Sequence, residues 1–146
     1  MSILSDFVRN TCVTVPALVW LIAQLIKATT DLAIQRKINL RRLFGAGGMP
    51  SSHTAYVVSL ATVVGKTEGV RSALFAVCFA FAMIVMYDAA GVRRAAGKQA
   101  KLLNALMSTH FPGEAFNERL KELIGHKPLE VLVGALFGVL LGIVFG

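Results

Sequence analysis

The chain has 146 residues, about one domain's worth, and 55% of them are hydrophobic, with a mean hydropathy of +0.67. That is more apolar than a soluble fold of this size carries, so an integral membrane protein is the first reading. The formal charge of +7 sits between long apolar stretches with only one Trp and two Tyr for company. It points to a membrane-facing basic surface or an anion site and away from nucleic acid.

Residues Asn10 to Ile26 carry no charge and read as a first membrane helix, with Arg9 and Lys27 at its ends and Pro16 placed to kink it. It is read as retained, because Asp6 precedes it and no small-x-small cleavage site follows. Lys27 to Arg42 holds Lys27, Arg36, Lys37, Arg41 and Arg42 against one acid, Asp31, and is expected to lie outside the membrane, continuing the helix for a few turns. Next comes Gly47-Gly48-Met49-Pro50-Ser51-Ser52-His53-Thr54, which opens a second apolar helix starting near Pro50 and reaching Gly65. After a short turn, Ser72 to Tyr87 forms a third apolar segment that stops at Asp88. Cys12 and Cys78 lie inside apolar runs without metal-type spacing and read as small buried hydrophobes.

Beyond Asp88, Arg94, Lys98 and Lys101 share one helix face, while Val92, Ala96, Leu103 and Leu106 populate another. Residues 107–125 are polar, broken by Pro112-Gly113, with a short helical stretch of mixed charge. Glu130 to Gly146 is a fourth apolar segment in which Gly134, Gly138 and Gly142 recur at every fourth place, a small-residue stripe that permits close helix packing in lipid. The expected fold is all-α: an integral membrane helical bundle of about four membrane helices plus interfacial helices, forming one domain over residues 1–146. The glycine stripe also suits association of copies into a homo-oligomer.

With four spans, the loops after the first and third helices lie on one side and carry most of the Lys and Arg. The positive-inside rule makes that side cytoplasmic in a bacterial inner membrane. His53, Arg93, Arg94, His126 and Glu130 all fall at that face, so they can converge. Two histidines, one with a carboxylate four residues on, and a set of cations form a toolkit for phosphoryl transfer. One imidazole attacks phosphorus, the other protonates the departing oxygen, and the cations stabilise the equatorial oxygens. Nothing in that chemistry requires a metal or cofactor.

Each feature taken singly has an ordinary explanation. Pro50-Ser51-Ser52 can merely start a helix, Glu130 after Pro128 can act only as a cap, and Arg94, Lys98 and Lys101 can rest on anionic headgroups. Asp88 can cap the next helix or pair with Arg93 or Arg94. A metal-dependent phospho-alcohol transfer needs several aspartates to hold two cations, and only Asp88 stands in the relevant segment. Gly45-Ala46-Gly47-Gly48 lacks the Gly-Lys-Ser/Thr ending of a nucleotide loop. The rival of a different class is a non-catalytic membrane protein that binds a phosphorylated lipid or anion with the same cations.

Pro50-Ser51-Ser52-His53 resembles the P-S-G-H motif of the type-2 phosphatidic acid phosphatase superfamily, which also includes the vanadium haloperoxidases. His126-Lys127-Pro128-Leu129-Glu130 and the glycine-bearing helix after it resemble that superfamily's last motif, H-x-x-x-D. The order of Gly-Gly-Met-Pro-Ser-Ser-His, then Tyr87-Asp88-Ala89-Ala90-Gly91-Val92-Arg93-Arg94, then Gly125-His126 to Glu130 is similar over nearly the whole chain to a divergent branch of small membrane proteins. The resemblance implies that His126 is the nucleophile, His53 the general acid, Glu130 the orienting carboxylate, and Ser51 and Ser52 phosphate contacts. Arg93 or Arg94 takes the place of the family's motif arginine. The family's opening Lys and Arg-Pro motif has no clean match, and Lys27, Lys37, Arg41 and Arg42 are its candidates. The implied reaction is hydrolysis of a lipid-linked phosphomonoester or diphosphate, isoprenoid or glycerophospholipid, through a phosphohistidine and without metal. Membrane lipids are the other expected partners.

Overall fold

The computed structural model describes residues 2–35, 48–110, 120, 122 and 125–146. Every regular element among the described residues is helical: α1 Ile3–Arg9, α2 Thr11–Gln35, α3 Ser52–Thr67, α4 Ala73–Tyr87, a π-helical turn Asp88–Val92, α5 Arg93–His110 and α6 Pro128–Phe145. The all-α membrane bundle expected from sequence is the observed fold class. Three stretches, Thr11–Thr30, Ala73–Thr109 and Pro128–Phe145, are long and apolar enough to cross a membrane. The fourth expected span is α3, whose 16 residues cover about 24 Å.

Helix α3 is the centre of the bundle, touching α2, α4 and α6. Its buried residues are small: Ser52, Thr54, Ala55, Val57, Ser59, Ala61, Val63 and Val64. The large side chains point outward, with Val77, Phe79 and Ile84 of α4 and Leu132, Leu136 and Leu140 of α6 exposed. Hydrocarbon is as good a solvent for Leu as another Leu is, so close backbone approach, and not burial of bulk, selects which residues face inward. The apolar core cluster is Val15 and Val19 of α2 with Ala55 and Val63 of α3, flanked by Cys12, Phe137 and Leu141.

The glycine stripe of α6 is used within this chain. A Cβ at Gly134 would stand 2.6 Å from the Ser51 carbonyl oxygen, one at Gly138 would stand 2.7 Å from that of Ala55, and one at Gly142 would meet Thr62 at 2.9 Å. At the upper end the Ser51 amide donates to the Glu130 carbonyl at 3.1 Å. At the lower end Lys66 Nζ donates to the carbonyls of Ile143 and Gly146 at 2.8 and 2.9 Å, capping acceptors that α6 leaves unpaired. Lys66→Met is expected to cost about 1 kcal/mol, read as a lower thermal midpoint in detergent, without altering the site at the opposite end.

The first membrane helix, α2, continues past Lys27 to Gln35, as expected, but Lys27 is buried at 6% exposure and is not an exposed helix end. Pro16 lies inside that helix, fully buried. The amphipathic helix after Asp88 extends to His110, while the short mixed-charge helix expected in 107–125 falls mostly outside the described residues. Cys12 and Cys78 are free and only half-buried, because both sit on helix flanks that face lipid as much as core.

Candidate active site

Ser51 is the N-cap of α3, its hydroxyl oxygen accepting from Thr54 N and Thr54 Oγ1 at 3.4 and 3.0 Å. Its side chain is fully buried, and its amide is held by Glu130 as above. The cap fixes the first turn, so that the next two residues present Ser52 and His53. Ser52 Oγ accepts from Lys27 Nζ at 3.0 Å in a buried contact. The chain enters this turn through Gly48, whose φ of +84° is open to glycine without strain; the Lys27 stem passes 3.9 Å from where its Cβ would be.

The second wall begins at His126. Its amide donates to the Ala89 carbonyl at 3.0 Å, and its Nδ1 lies 3.0 Å from Glu130 Oε2. The same carboxylate oxygen accepts from the Lys127 amide at 3.1 Å, so Glu130 both caps α6 and orients the imidazole. An ionised carboxylate only accepts, which puts the imidazole proton on Nδ1 and leaves the lone pair on Nε2. His126 is 2% exposed, and Nε2 has no partner among the described residues. A buried polar atom left so costs roughly 1–3 kcal/mol and is retained where a site uses it.

Gly125 makes this wall possible. A Cβ there would run into the backbone of Arg93 and Arg94, so only glycine lets the chain cross α5 closely enough to seat His126. Upstream, Asn104 of α5 pairs with the Leu120 backbone at 2.9 and 3.1 Å and with Glu122 at 2.8 Å, tying the approach to His126 onto the same helix.

The third wall is the π-helical turn. Its wider winding lets the Arg93 amide bond to the Asp88 carbonyl five residues back and brings Arg93 Nε onto Asp88 Oδ2. It also presents the Ala89 carbonyl to His126. Such turns inside helices are frequent at functional sites. The ion pair is more than a third exposed on both sides, so it contributes little to stability, and its effect is orientation. Asp88→Asn is expected to shift stability by less than about 0.5 kcal/mol while lowering kcat/KM roughly tenfold through a freed guanidinium; unchanged turnover would show that the pair positions nothing.

Lys27 and Arg93 act electrostatically on both imidazoles. The structure thus brings together Lys27, Ser52, His53, Arg93, His126 and Glu130, with Ser51 behind them as the cap. Arg94 is exposed and meets the site through its backbone under Gly125. Lys37, Arg41 and Arg42 lie outside the described residues. Among the described residues no three His, Cys, Asp or Glu come together as a metal-ligand set.

Burial is the main influence that holds His126 below the ordinary histidine value of 6.5, helped by Lys27 and Arg93 and opposed by the hydrogen bond and charge of Glu130. The lone pair on Nε2 therefore stays available at neutral pH. Any rate that depends on neutral His126 is expected to hold as pH falls to 6.5 and to drop only below it, as measured by the acid limb of a kcat/KM profile.

Sequence reasoning did not single out Ala89, Asn104 or the residues Trp20, Tyr56 and Phe81 that line the groove beside His53. A carbonyl carries no residue signature, Asn104 looks like any polar helix position, and Trp20, Tyr56 and Phe81 come from three different helices. The Gly before His126 was the available signal for the close crossing at α5.

Residues 8–141 match the model of the Divergent PAP2 family. The chain is 44% identical to the uncharacterized membrane protein YuiD of Bacillus subtilis (strain 168), across 84% of this chain and 85% of that protein. No solved structure matches. With a match over nearly its whole length, the chain belongs to the Divergent PAP2 family.

Proposed function

We propose that this protein is a membrane phosphatase that hydrolyses a lipid-linked phosphomonoester or diphosphate through a phosphohistidine at His126. The observation that carries the reading is the buried, unpartnered Nε2 of His126, with Nδ1 held by Glu130 and two cations, Lys27 and Arg93, acting on it. In the first step Nε2 attacks phosphorus, an N–P bond forms, the P–O bond to the lipid breaks, and protonated His53 gives its proton to the departing oxygen. Glu130 stabilises the cationic phosphoimidazole as the carboxylate does in a triad. In the second step water attacks phosphorus while His53, now neutral, takes a proton from it; the N–P bond breaks and phosphate leaves. Lys27, Arg93 and the Ser52 hydroxyl hold the equatorial oxygens. A phosphate dianion between the two cations also brings negative charge beside His53, which favours the protonated form the first step needs.

Ser51 contributes by fixing the α3 start, and Ser52 makes the phosphate contact. The basic residues flanking this end of the bundle support, by the positive-inside rule, a site at the cytoplasmic face of an inner membrane. The test is phosphate release from a panel of lipid phosphates, with chelator and with vanadate, comparing the wild type with His126→Ala and His53→Ala. Chelator-resistant, vanadate-sensitive turnover that both variants lose supports the phosphatase. Tight lipid-phosphate binding without turnover under any condition replaces it with a binding protein.

A further inference from the structure

Beside the phosphate site, a cavity of about 400 Å³ opens between α2, α3 and α4. His53 and Arg93 stand at its polar end, in the first turns of α3 and α5. Its walls are apolar: Trp20 from α2, Tyr56 and Val57 from α3, Phe81 and Val85 from α4. Trp20 precedes Lys27, and Phe81 precedes Asp88, by two helical turns, so the groove runs roughly 10 Å below the charged layer. The apolar length and the cationic mouth together match an amphiphile lying with its phosphate at His53 and Arg93.

We infer that this groove takes the apolar chain of the phosphorylated substrate, and that its size selects lipids whose phosphate ends a single chain. The inference rests on the phosphatase reading for its substrate and adds the class. A methylene fills about the 30 Å³ share of a water molecule in the liquid, so the cavity holds about a dozen carbons, one chain and not two. A two-chain phosphatidate must leave its second chain outside, with the glycerol branch at the mouth between His53 and Arg93. Pockets of this size bury most of a ligand of similar volume and are lined, as here, by apolar side chains with a few polar groups at one end.

The test uses the full chain in phosphatidylcholine nanodiscs and a dodecyl phosphonate carrying a diazirine in mid-chain, which cannot be hydrolysed. Photolabelling is expected on peptides bearing Trp20, Tyr56 or Phe81, to be competed by dodecyl phosphate and not by dodecanol, and to fall several-fold in Val85→Trp. Competition should strengthen with chain length up to about twelve carbons, and a two-chain phosphatidate should compete at least tenfold more weakly. Label on the outer face of α6 at Leu132, Leu136 or Leu140, equal competition by dodecanol, or equal competition by the phosphatidate would overturn the inference. Because the probe reports binding alone, groove labelling in a protein with no turnover contradicts only the phosphatase. Turnover with labelling elsewhere contradicts only the single-chain groove.

Discussion

His126→Ala is expected to lower turnover of a lipid phosphate by roughly 10⁴-fold or more, the scale on which losing a member of a nucleophilic unit acts. Its side chain sits between two elements, with the backbone pinned by Ala89 and the ring by Glu130. Truncation leaves that backbone bond in place and removes only the ring. The folded state should therefore survive, and binding of a phosphonate analogue should fall much less than turnover. A His126→Ala enzyme that still turns over at a tenth of the wild-type rate would exclude the covalent route. Glu130→Ala is expected to do double damage, because the carboxylate oxygen that orients the imidazole also receives the Lys127 amide. Its loss should lower both kcat and the thermal midpoint.

The second large effect is on the fold. Gly134→Ala places a methyl group where the Ser51 carbonyl stands 2.6 Å away, and backbone cannot rotate aside as a side chain can. Helix α6 must move off α3, which stretches the Ser51 to Glu130 hydrogen bond and shifts the cap that presents Ser52 and His53. Overpacking ordinarily costs about 1–3 kcal/mol, and this position is expected at the top of that range or beyond it. Gly138→Ala meets the Ala55 carbonyl at 2.7 Å and should behave alike. Ala at Gly91, where an added Cβ has nothing within 4 Å, is the control expected to be tolerated. The measurement is the thermal midpoint in detergent; a Gly134→Ala midpoint equal to that of Gly91→Ala would contradict the packing described.

Much of this architecture is legible in the residues. Apolar runs bounded by charges locate the helices, because lipid leaves the backbone no other way to satisfy its hydrogen bonds. The four-residue spacing of Gly134, Gly138 and Gly142 marks a close helix contact, although only the structure shows that its partner is α3. The convergence of His53 and His126 follows from counting spans, since loops after the first and third helices share a face.

The cationic wall is where pattern reading stops. Lys27 looks like the end of a membrane span because the apolar run stops there, yet the side chain is turned inward onto Ser52 and buried. Choosing between Arg93 and Arg94 needs the winding of the π turn, which sets which guanidinium reaches Asp88 and which backbone lies under Gly125. No sequence period announces such a turn, because it changes the register by one residue without changing composition. The Trp20, Tyr56 and Phe81 groove is hidden for a similar reason: three residues from three helices meet through tertiary packing alone.

The proposed phosphatase turns on a covalent intermediate at His126. Rapid quench of the wild-type protein with a ³²P-labelled lipid phosphate, under alkaline conditions that preserve a phosphoramidate, followed by peptide mapping, tests it most directly. Acid-labile label is expected on the peptide containing His126, formed no more slowly than turnover and absent from His126→Ala. Turnover accompanied by no label on that peptide, or label on another residue, would contradict it.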